Sequence, residues 1–326
     1  MKIFCIFALS IIMKLNIIIP VYQAEHTLRR CVDSFASQSF RDWQILLVDD
    51  ASTDHSGSIC DEYAQADQRI RVIHLKQNSG LSAARNAGLA KAKAEYITFA
   101  DSDDFIAPNT LKELMEEIAI HPDYDILEYP VYEHFGSKKQ SLLQFRKQEY
   151  TDMKEYWLEG KAYQHAYACN KIYRRSVIQG LRYPEGKTFE DAFMLPQLLK
   201  HCKMVATTDV GLYYYWFNDT GITNNASFED NKCLLEAHLQ VIKELHPAKA
   251  TLNFKKSLET AFAEYYAYVL NIQLVVTDNA PSLQDTLELP ILPYKQTFKL
   301  KMLHLIGLRH LCQLHRIFRK FHHPRA

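Results

Sequence analysis

The first 120 residues alternate short apolar runs with segments of helical periodicity, and this alternation constrains the fold more than any other feature. The apolar runs, which we predict to be buried strands, cover residues 15–21, 43–48, 70–75 and 96–99. The helical segments include residues 24–37, 82–93 and 111–120. Apolar strands separated by helices predict a mostly parallel sheet with helices on both faces.

Beyond about residue 122 the alternation loosens. Residues 125–132 suit one more strand, and residues 133–148 suit an exposed connection. Residues 228–275 predict two helices with a break at His246-Pro247. We therefore expect four segments: residues 1–12, a first half at 13–125, a second half at 126–225, and a helical extension at 226–326.

Polar side chains gather where the predicted strands end. They are Tyr22 and Glu25, Asp49 and Asp50, Gln77 and Asn78, and the run Asp101-Ser102-Asp103-Asp104. In an open parallel sheet, ligands bind beyond the carboxyl ends of the strands. The order of residues thus predicts one binding site at this edge of the sheet.

The acidic run after the fourth strand has two interpretations. Carboxylates one residue apart in a turn suit Mg²⁺ or Mn²⁺, which keeps open positions for substrate phosphates. The other interpretation is an acidic loop that caps the helix beginning near Pro108. Asp50 also has two interpretations: it contacts the base or ribose of a nucleotide, or it caps a helix. Arg85 likewise either contacts a phosphate or a carboxylate of the site, or forms an ordinary surface salt bridge.

Four sequence blocks, taken together, resemble glycosyltransferase family 2. They are IIPVY at residues 18–22 followed by Glu25, VDDASTD at 48–54, NSGLSAARN at 78–86 and YITFADSDD at 96–104. The blocks follow the family's order. The resemblance implies a GT-A fold, which is a doubly wound and mostly parallel α/β sheet, together with a nucleotide-sugar donor and inversion at the anomeric carbon.

The resemblance also implies roles by motif position. Pro20, Tyr22 and Glu25 are expected to line the nucleotide pocket. Asp50 is expected to bond the base, often uracil in this family, while Asp101 faces the ribose or phosphates and Asp103 binds the metal. Two mild departures occur, because Gln23 stands where the family usually has Asn, and Ala51 where it usually has Gly.

An inverting transfer also needs a general base that takes the proton of the acceptor hydroxyl. The segment around Glu190-Asp191 resembles the Glu-Asp block of polysaccharide-building members of the family, which implies Asp191 as the base and Glu190 as the substitute. Capping of the helix that follows is the alternative. Trp216, in the run YYYWF, is the candidate for acceptor contact, although a strand with one buried face gives the same pattern.

The N-terminus contains a short apolar run from Ile3 to Ile12, and Met13-Lys14 lies directly before the first strand. We expect translation to begin at Met13, with a weak membrane anchor as the alternative. The seven cysteines form no close pairs, which favours the reducing cytosol. The net charge is zero, so no global charge indicates nucleic acid.

The C-terminal segment is basic and amphipathic. No acidic residue occurs from Leu292 onward, whereas eight Lys or Arg residues do. Leu300, Leu303, Leu311, Leu314, Phe318 and Phe321 fall at helical spacing. This pattern predicts peripheral binding to an anionic membrane surface, with packing on the catalytic domain as the alternative.

The sequence as a whole predicts a cytoplasmic glycosyltransferase at the inner face of the membrane. It would move a hexose or N-acetylhexosamine from a nucleotide-sugar, of UDP type, to a growing surface glycan or a lipid-linked acceptor. An inactive relative that serves as a scaffold or binding protein is the alternative. A phosphorelay receiver-like domain also places acidic pairs at strand ends, but it leaves the DSDD run and the 200 residues after it unexplained.

Overall fold

The computed structural model describes residues 13–219, 221, 225–245, 256–279 and 289–322. The segment at residues 1–12, with its predicted start site or anchor, lies outside this range. The predicted break at residues 246–247 also lies outside this range. The two helices that the sequence predicts on either side of it are present.

The alternating strands and helices predicted for the first 120 residues are present. The strands are β1 (Leu15–Val21), β2 (Trp43–Asp49), β3 (Ile70–His74) and β4 (Tyr96–Phe99). The helices are α1 (Leu28–Ala36), α2 (Ser56–Ala66), α3 (Leu81–Lys91) and α4 (Thr110–Ile120). Every residue of β1 is buried, as expected for a strand with helices on both faces of its sheet.

The remaining strands are short. They are β5 (Phe105–Ile106), β6 (Ile126–Glu128), β7 (Val131–Phe135), β8 (Ser141–Leu143), β9 (Gln148–Tyr150), β10 (Lys171–Arg174), β11 (Val205–Thr207) and β12 (Tyr213–Trp216). In the described residues, the strands form an eight-stranded sheet in the order β3-β2-β1-β4-β10-β6-β11-β9 and a four-stranded sheet in the order β5-β12-β7-β8. The fold is thus α/β with a GT-A architecture, as predicted.

The parallel part of the larger sheet brings the predicted site residues to one edge. β1 pairs in parallel with both β2 and β4, and β2 pairs in parallel with β3. The carboxyl ends of these strands therefore meet at the same edge. β10 runs antiparallel beside β4, with Ile172 opposite Thr98, so the residues just before β10 lie next to the end of β4.

Pro20 lies inside β1, although proline has no N–H to donate to a sheet. The oxygen of Ile18 accepts the amide of Ala100 on the β4 side, whereas the oxygen of Val21 accepts the amide of Asp50 on the β2 side. Backbone groups alternate between neighbouring strands, so the nitrogen of Pro20 points to the β4 side. The pairing with β4 ends at Ile18, so the proline stands where this ladder of hydrogen bonds stops.

The strand predicted at residues 125–132 is two strands in different sheets. β6 belongs to the larger sheet and β7 to the smaller one, with Tyr129 and Pro130 between them. The amide of Tyr129 donates to the oxygen of Asn170, while the oxygen of Pro130 accepts the amide of Tyr213. The chain changes partner at this proline, and part of the predicted connection at 133–148 becomes β7 and β8.

Contacts between Cα atoms divide the chain into two compact units. Within the described range, the first unit holds residues 13–148, 168–180 and 206–217, and the second holds the rest. The helices outside the alternating region are α5 (Met153–Leu158), α6 (Arg175–Ile178), α7 (Glu190–Leu199), α8 (Phe228–Leu245), α9 (Lys256–Asn279) and α10 (Phe298–His322). None of the described helices is both long enough and apolar enough to cross a bilayer.

A buried ion pair joins β10 to β6 in the first unit. Lys171 Nζ lies 2.7 Å from Glu128 Oε1, and both side chains are fully buried. The ammonium group also donates to Asn170 Oδ1 at 3.0 Å. Because water does not reach this pair, removing one partner leaves an uncompensated charge in the core.

We expect Lys171→Met to lower the free energy of unfolding by about 3–5 kcal/mol. The double variant Lys171→Met, Glu128→Leu should recover most of that loss, because no charge is then left buried. Lys14→Met, which breaks the exposed Lys14–Glu95 pair, is the matched control and should cost at most about 1 kcal/mol. Urea unfolding measures all three, and an equal loss in Lys14→Met and Lys171→Met would contradict this account.

Candidate active site

The loops after β1 and β2 are held together by side-chain hydrogen bonds. The amide of Ala24 donates to Ser56 Oγ at 2.8 Å, and the amide of Glu25 donates to Asp54 Oδ2 at 3.2 Å. In return, Glu25 Oε2 accepts the amide of His55 at 3.0 Å. Glu25 therefore positions the second loop, and the ring of Tyr22 beside it stays 47% exposed.

Both departures from the family motifs fall on left-handed backbone. Gln23 has a φ of 49° and Ala51 has a φ of 55°. Asn and Gly adopt this region more readily than most residues, which explains physically why the family usually has them there. The side chain of Gln23 still reaches Thr53 Oγ1 at 3.2 Å, so the link between the loops is kept.

Asp50 lies at the N-terminus of α3. Its Oδ1 accepts the amide of Ser79 and its Oδ2 accepts the amide of Gly80, both at 2.8 Å. The side chain is almost fully buried, and these two bonds fix its orientation. A carboxylate has about four acceptor positions, of which these two bonds occupy two. Asp50 thus caps α3 rather than α2.

Asp49 points to a different neighbour. Its Oδ1 accepts the amide of Ser52 at 3.0 Å, and its Oδ2 lies 2.9 Å from His74 Nδ1. His74 Nε2 lies 3.0 Å from Asp61 Oδ1. The hydrogen bonds to Asp49 and then to Asp61 raise the pKa of His74 above its usual value. Asp49 therefore belongs to a supporting charge network.

Arg85 and Asp101 form an ion pair at the end of β4. Arg85 is 2% exposed, and its Nη2 donates to Asp101 Oδ1 at 3.0 Å. Asp101 keeps 29% of its side-chain surface exposed. The guanidinium is buried and orients a half-exposed carboxylate, so Arg85 does not form the surface salt bridge that was the alternative interpretation of the sequence.

Asp104, the last residue of the acidic run, is buried in the first unit. Its Oδ2 accepts a hydrogen bond from the hydroxyl of Tyr213, and its Oδ1 accepts one from the amide of Trp216, both at 2.7 Å. Burial, and after it the nearby carboxylates of Asp103 and Asp101, raises the pKa of Asp104 well above its usual range. The residue ties the turn after β4 to strand β12.

Arg30 on α1 holds the same turn from the other side. Its Nη2 donates to the backbone oxygen of Asp103 at 2.6 Å. Its guanidinium lies 4.0 Å from the ring centroid of Trp216 and 4.9 Å from that of Phe105. Trp216 thus packs on a cation of its own unit, while its predicted contact with an acceptor stays a prediction.

Sequence reasoning missed Arg30, His74 and the hydroxyl of Tyr213. The hydroxyl of Tyr213 also accepts the amide of Asp101 at 3.2 Å. A single arginine in an amphipathic helix and a histidine at a strand end carry no distinctive spacing. Only the fold brings Arg30 and Tyr213 to the acidic turn and His74 to Asp49.

Asp103 is half-buried, on the turn that Arg30 and Asp104 hold. The described residues contain no group of three or more His, Cys, Asp or Glu side chains arranged around a metal position. Magnesium commonly binds through one or two carboxylates and completes its shell with water and substrate phosphates. The pair Asp101 and Asp103 fits that kind of site.

Glu190 and Asp191 open α7 in the second unit. Both lie in the first turn of the helix, directly after Phe189, which has a left-handed φ of 53°. Glu190 is 7% exposed and Asp191 is half-buried.

The predicted site residues divide between the two units. The second unit contains the proposed base Asp191 and its substitute Glu190. The first unit contains all the others, which are Pro20, Tyr22, Glu25, Asp50, Arg85, Asp101, Asp103 and Trp216.

Comparison with known proteins agrees with this geometry. The profile of the family "Glycosyl transferase family 2" matches residues 16–182. The putative glycosyltransferase EpsH of Bacillus subtilis is 30% identical over 259 residues, which cover 75% of this chain and 73% of EpsH. The chain belongs to glycosyl transferase family 2 and is a glycosyltransferase by class.

One further sequence relative and one solved structure extend the comparison. The minor teichoic acid biosynthesis protein GgaB of Bacillus subtilis is 28% identical over 225 residues, which cover 67% of this chain but only 24% of GgaB. The crystal structure of S. aureus TarS 1-349 in complex with UDP-GlcNAc is similar with a TM-score of 0.66 at 19% identity, covering 94% of this chain and 92% of that one. The TarS structure supports the fold.

Ala51→Gly should raise the free energy of unfolding by about 1 kcal/mol, because glycine removes the Cβ penalty of left-handed backbone. Ala83→Gly, the same substitution inside helix α3, should lower it by a similar amount. Thermal and urea unfolding of the two variants measure these opposite signs. A loss of stability in Ala51→Gly would show that its backbone is not strained.

Proposed function

We propose that the protein transfers a hexose or N-acetylhexosamine from a UDP-sugar to a hydroxyl group of a growing surface glycan or lipid-linked acceptor. The observation that carries this proposal is the cluster Asp50, Arg85, Asp101 and Asp103 at one edge of the parallel sheet. TarS supports a UDP-sugar, because its structure contains UDP-GlcNAc. GgaB supports a surface polymer, because it is named for teichoic acid synthesis.

The first unit would bind the donor in a fixed orientation. Asp50, already oriented by the amides of Ser79 and Gly80, would accept a hydrogen bond from the imide N–H of uracil. Asp101, held by Arg85, would accept a hydroxyl of the ribose. Preorganised groups of this kind lose little freedom when the donor binds.

A divalent cation, Mn²⁺ or Mg²⁺, is proposed to bind Asp103. When bound, it offsets the charge of the pyrophosphate and so stabilises the nucleoside diphosphate as a leaving group. The protein's own contribution is to hold the turn in place. Arg30 does so through the backbone oxygen of Asp103, and Asp104 does so through Tyr213 and Trp216.

Asp191 is proposed as the general base. It would take the proton from the acceptor hydroxyl while that oxygen attacks the anomeric carbon. The new bond joins the anomeric carbon to the acceptor oxygen, and the bond to the β-phosphate oxygen breaks on the opposite face. The configuration therefore inverts, and UDP leaves with the electron pair of the broken bond.

A lipid-linked acceptor would bring the chemistry to the inner face of the cell membrane. We therefore propose a cytoplasmic enzyme that works peripherally at that surface. The sequence supports this location through the basic residues that follow Leu292.

Asp103→Ala is expected to abolish metal-dependent binding of the donor, because the carboxylate ligand is lost. The measurement is isothermal titration of UDP-glucose, UDP-galactose and their N-acetylhexosamine counterparts, with Mn²⁺ or with EDTA. Asp123→Ala, at an exposed aspartate of the same unit, is the matched control and should bind like the wild type. If the wild type neither bound nor hydrolysed any common nucleotide sugar, the proposed function would be wrong.

Asp191→Asn is expected to leave donor binding almost unchanged and to lower turnover about 10²–10⁴-fold, since the amide cannot accept the proton. UDP release in single-turnover and steady-state assays separates the two effects. Glu190→Gln is the comparison and should lose less activity. Full activity in Asp191→Asn would assign the base role elsewhere, and a large loss in Glu190→Gln would assign it to Glu190.

A further inference from the structure

The last described helix, α10, has two apolar sides. Gly307, with φ 75° and ψ 165°, interrupts it and leaves helical pieces at residues 298–306 and 308–322. One side packs within the second unit, where α10 contacts α9. Its buried residues are Leu300, Leu303, Leu308, Leu311 and Cys312. Part of the predicted apolar stripe is thus the face that packs on the protein.

A second set of large apolar side chains points to solvent. In the first piece, Phe298 is 76% and Leu305 is 78% exposed, and they lie seven residues apart on the same side. In the second piece, Leu314, Ile317 and Phe318 are 38%, 51% and 63% exposed, at i, i+3 and i+4. We call these five residues the outer face of α10. The side chain of Phe321 lies outside the described part of the chain.

The outer face is unusual for this molecule. Ten large hydrophobic residues are exposed in the described part of the chain, and six of them fall between Ile291 and Phe318. Single exposed apolar residues need no explanation, whereas a cluster on one element indicates a binding surface. Something apolar is expected to cover the outer face.

The Lys and Arg side chains of the segment that carries the outer face have no acidic counterpart within it, and the carboxylate of Asp278 on α9, which pairs with His315, is only 4% exposed. Lys295, Lys299, Lys301 and Arg309 are exposed and Arg316 is half-buried, while the sequence has no acidic residue after Glu288. The neighbour that Lys299 bonds is neutral, because its Nζ donates to Asn271 Oδ1 at 2.6 Å. Basic residues that flank exposed Phe, Leu and Ile side chains are the pattern of helices that lie in a bilayer interface.

Charge also decides against a second copy of this chain as the occupant. A two-fold contact through the outer face would bring the same cations of both copies together, and no carboxylate of the segment would balance them. An anionic lipid surface offers both the apolar layer and the opposite charge.

We propose that α10 attaches the protein to anionic membranes, with the outer face inserted at the level of the headgroups and Lys299, Lys301 and Arg309 bound to lipid phosphates. The benefit of this attachment rests on the proposed function, because a lipid-linked acceptor would be presented at the same surface. The attachment itself is independent of sugar transfer and can be measured without it.

The test is co-sedimentation of the full chain with vesicles of phosphatidylcholine alone or with 30% phosphatidylglycerol, roughly the anionic content that gives a strong surface potential. We expect binding to the anionic vesicles that weakens with salt. Lys301→Glu with Arg309→Glu should weaken it at least about thirtyfold, at about fivefold for each lost charge. Leu305→Ser with Phe318→Ser should weaken it by about tenfold or more for each side chain.

Matched controls change the same residue types elsewhere. Lys138→Glu with Lys139→Glu alters two exposed lysines of the first unit, and Ile120→Ser with Leu142→Ser alters two of its exposed apolar residues. Both controls should bind anionic vesicles like the wild type. UDP release from the donor, without a lipid acceptor, should be unchanged in all variants, so a failed attachment is distinguished from a failed enzyme.

Three results would overturn the proposal. The first is that the wild type shows no preference for anionic vesicles at low salt. The second is that the α10 variants bind as tightly as the controls. The third result is an oligomer of the wild type, seen by analytical ultracentrifugation without vesicles, that dissociates in Leu305→Ser, Phe318→Ser. That outcome would assign the outer face to a second copy.

Discussion

The carboxyl group of Asp104 is the point on which the geometry of the acidic turn depends. It is buried among the elements of the first unit and accepts both Tyr213 Oη and the amide of Trp216. These two bonds connect the turn after β4 to β12, a strand of the other sheet. Arg30 completes the support from α1 through the backbone oxygen of Asp103. The half-exposed carboxylates of Asp101 and Asp103 can face a ligand because these neighbours hold the backbone between them.

Rigid support recurs on the donor side. Asp50 is fixed by two amides at the start of α3, and Arg85 of the same helix fixes Asp101. One helix therefore sets the orientation of two carboxylates that come from different strands. A nucleotide bound between them would meet groups already in place, which is the condition under which hydrogen bonds contribute most to affinity.

Much of this was predictable from the sequence. Periodicity located β1 and β4 at their observed bounds, and the family blocks located Asp50, Arg85, Asp101 and Asp103. Local sequence patterns could not predict which strands pair with each other or which amides a carboxylate binds. The strand predicted over residues 125–132 divides at Pro130 because its two parts pair in different sheets, and Asp50 caps the helix after β3 rather than the helix that follows it in sequence. Pairing of this kind depends on residues far away in the sequence, which local patterns do not record.

The amino-acid sequence by itself determined the α/β class, the family and the edge of the sheet where polar residues meet, because these follow from local periodicity and from motifs of contiguous residues. The tertiary structure decided which carboxylates of the acidic turn stay half-exposed and which is buried and structural, because that depends on burial and on donors such as Tyr213 and Arg30 that no spacing reveals. It also separated the apolar residues of α10 into a packed side and an exposed side. Helical spacing groups both sets, and only the packing against α9 tells them apart.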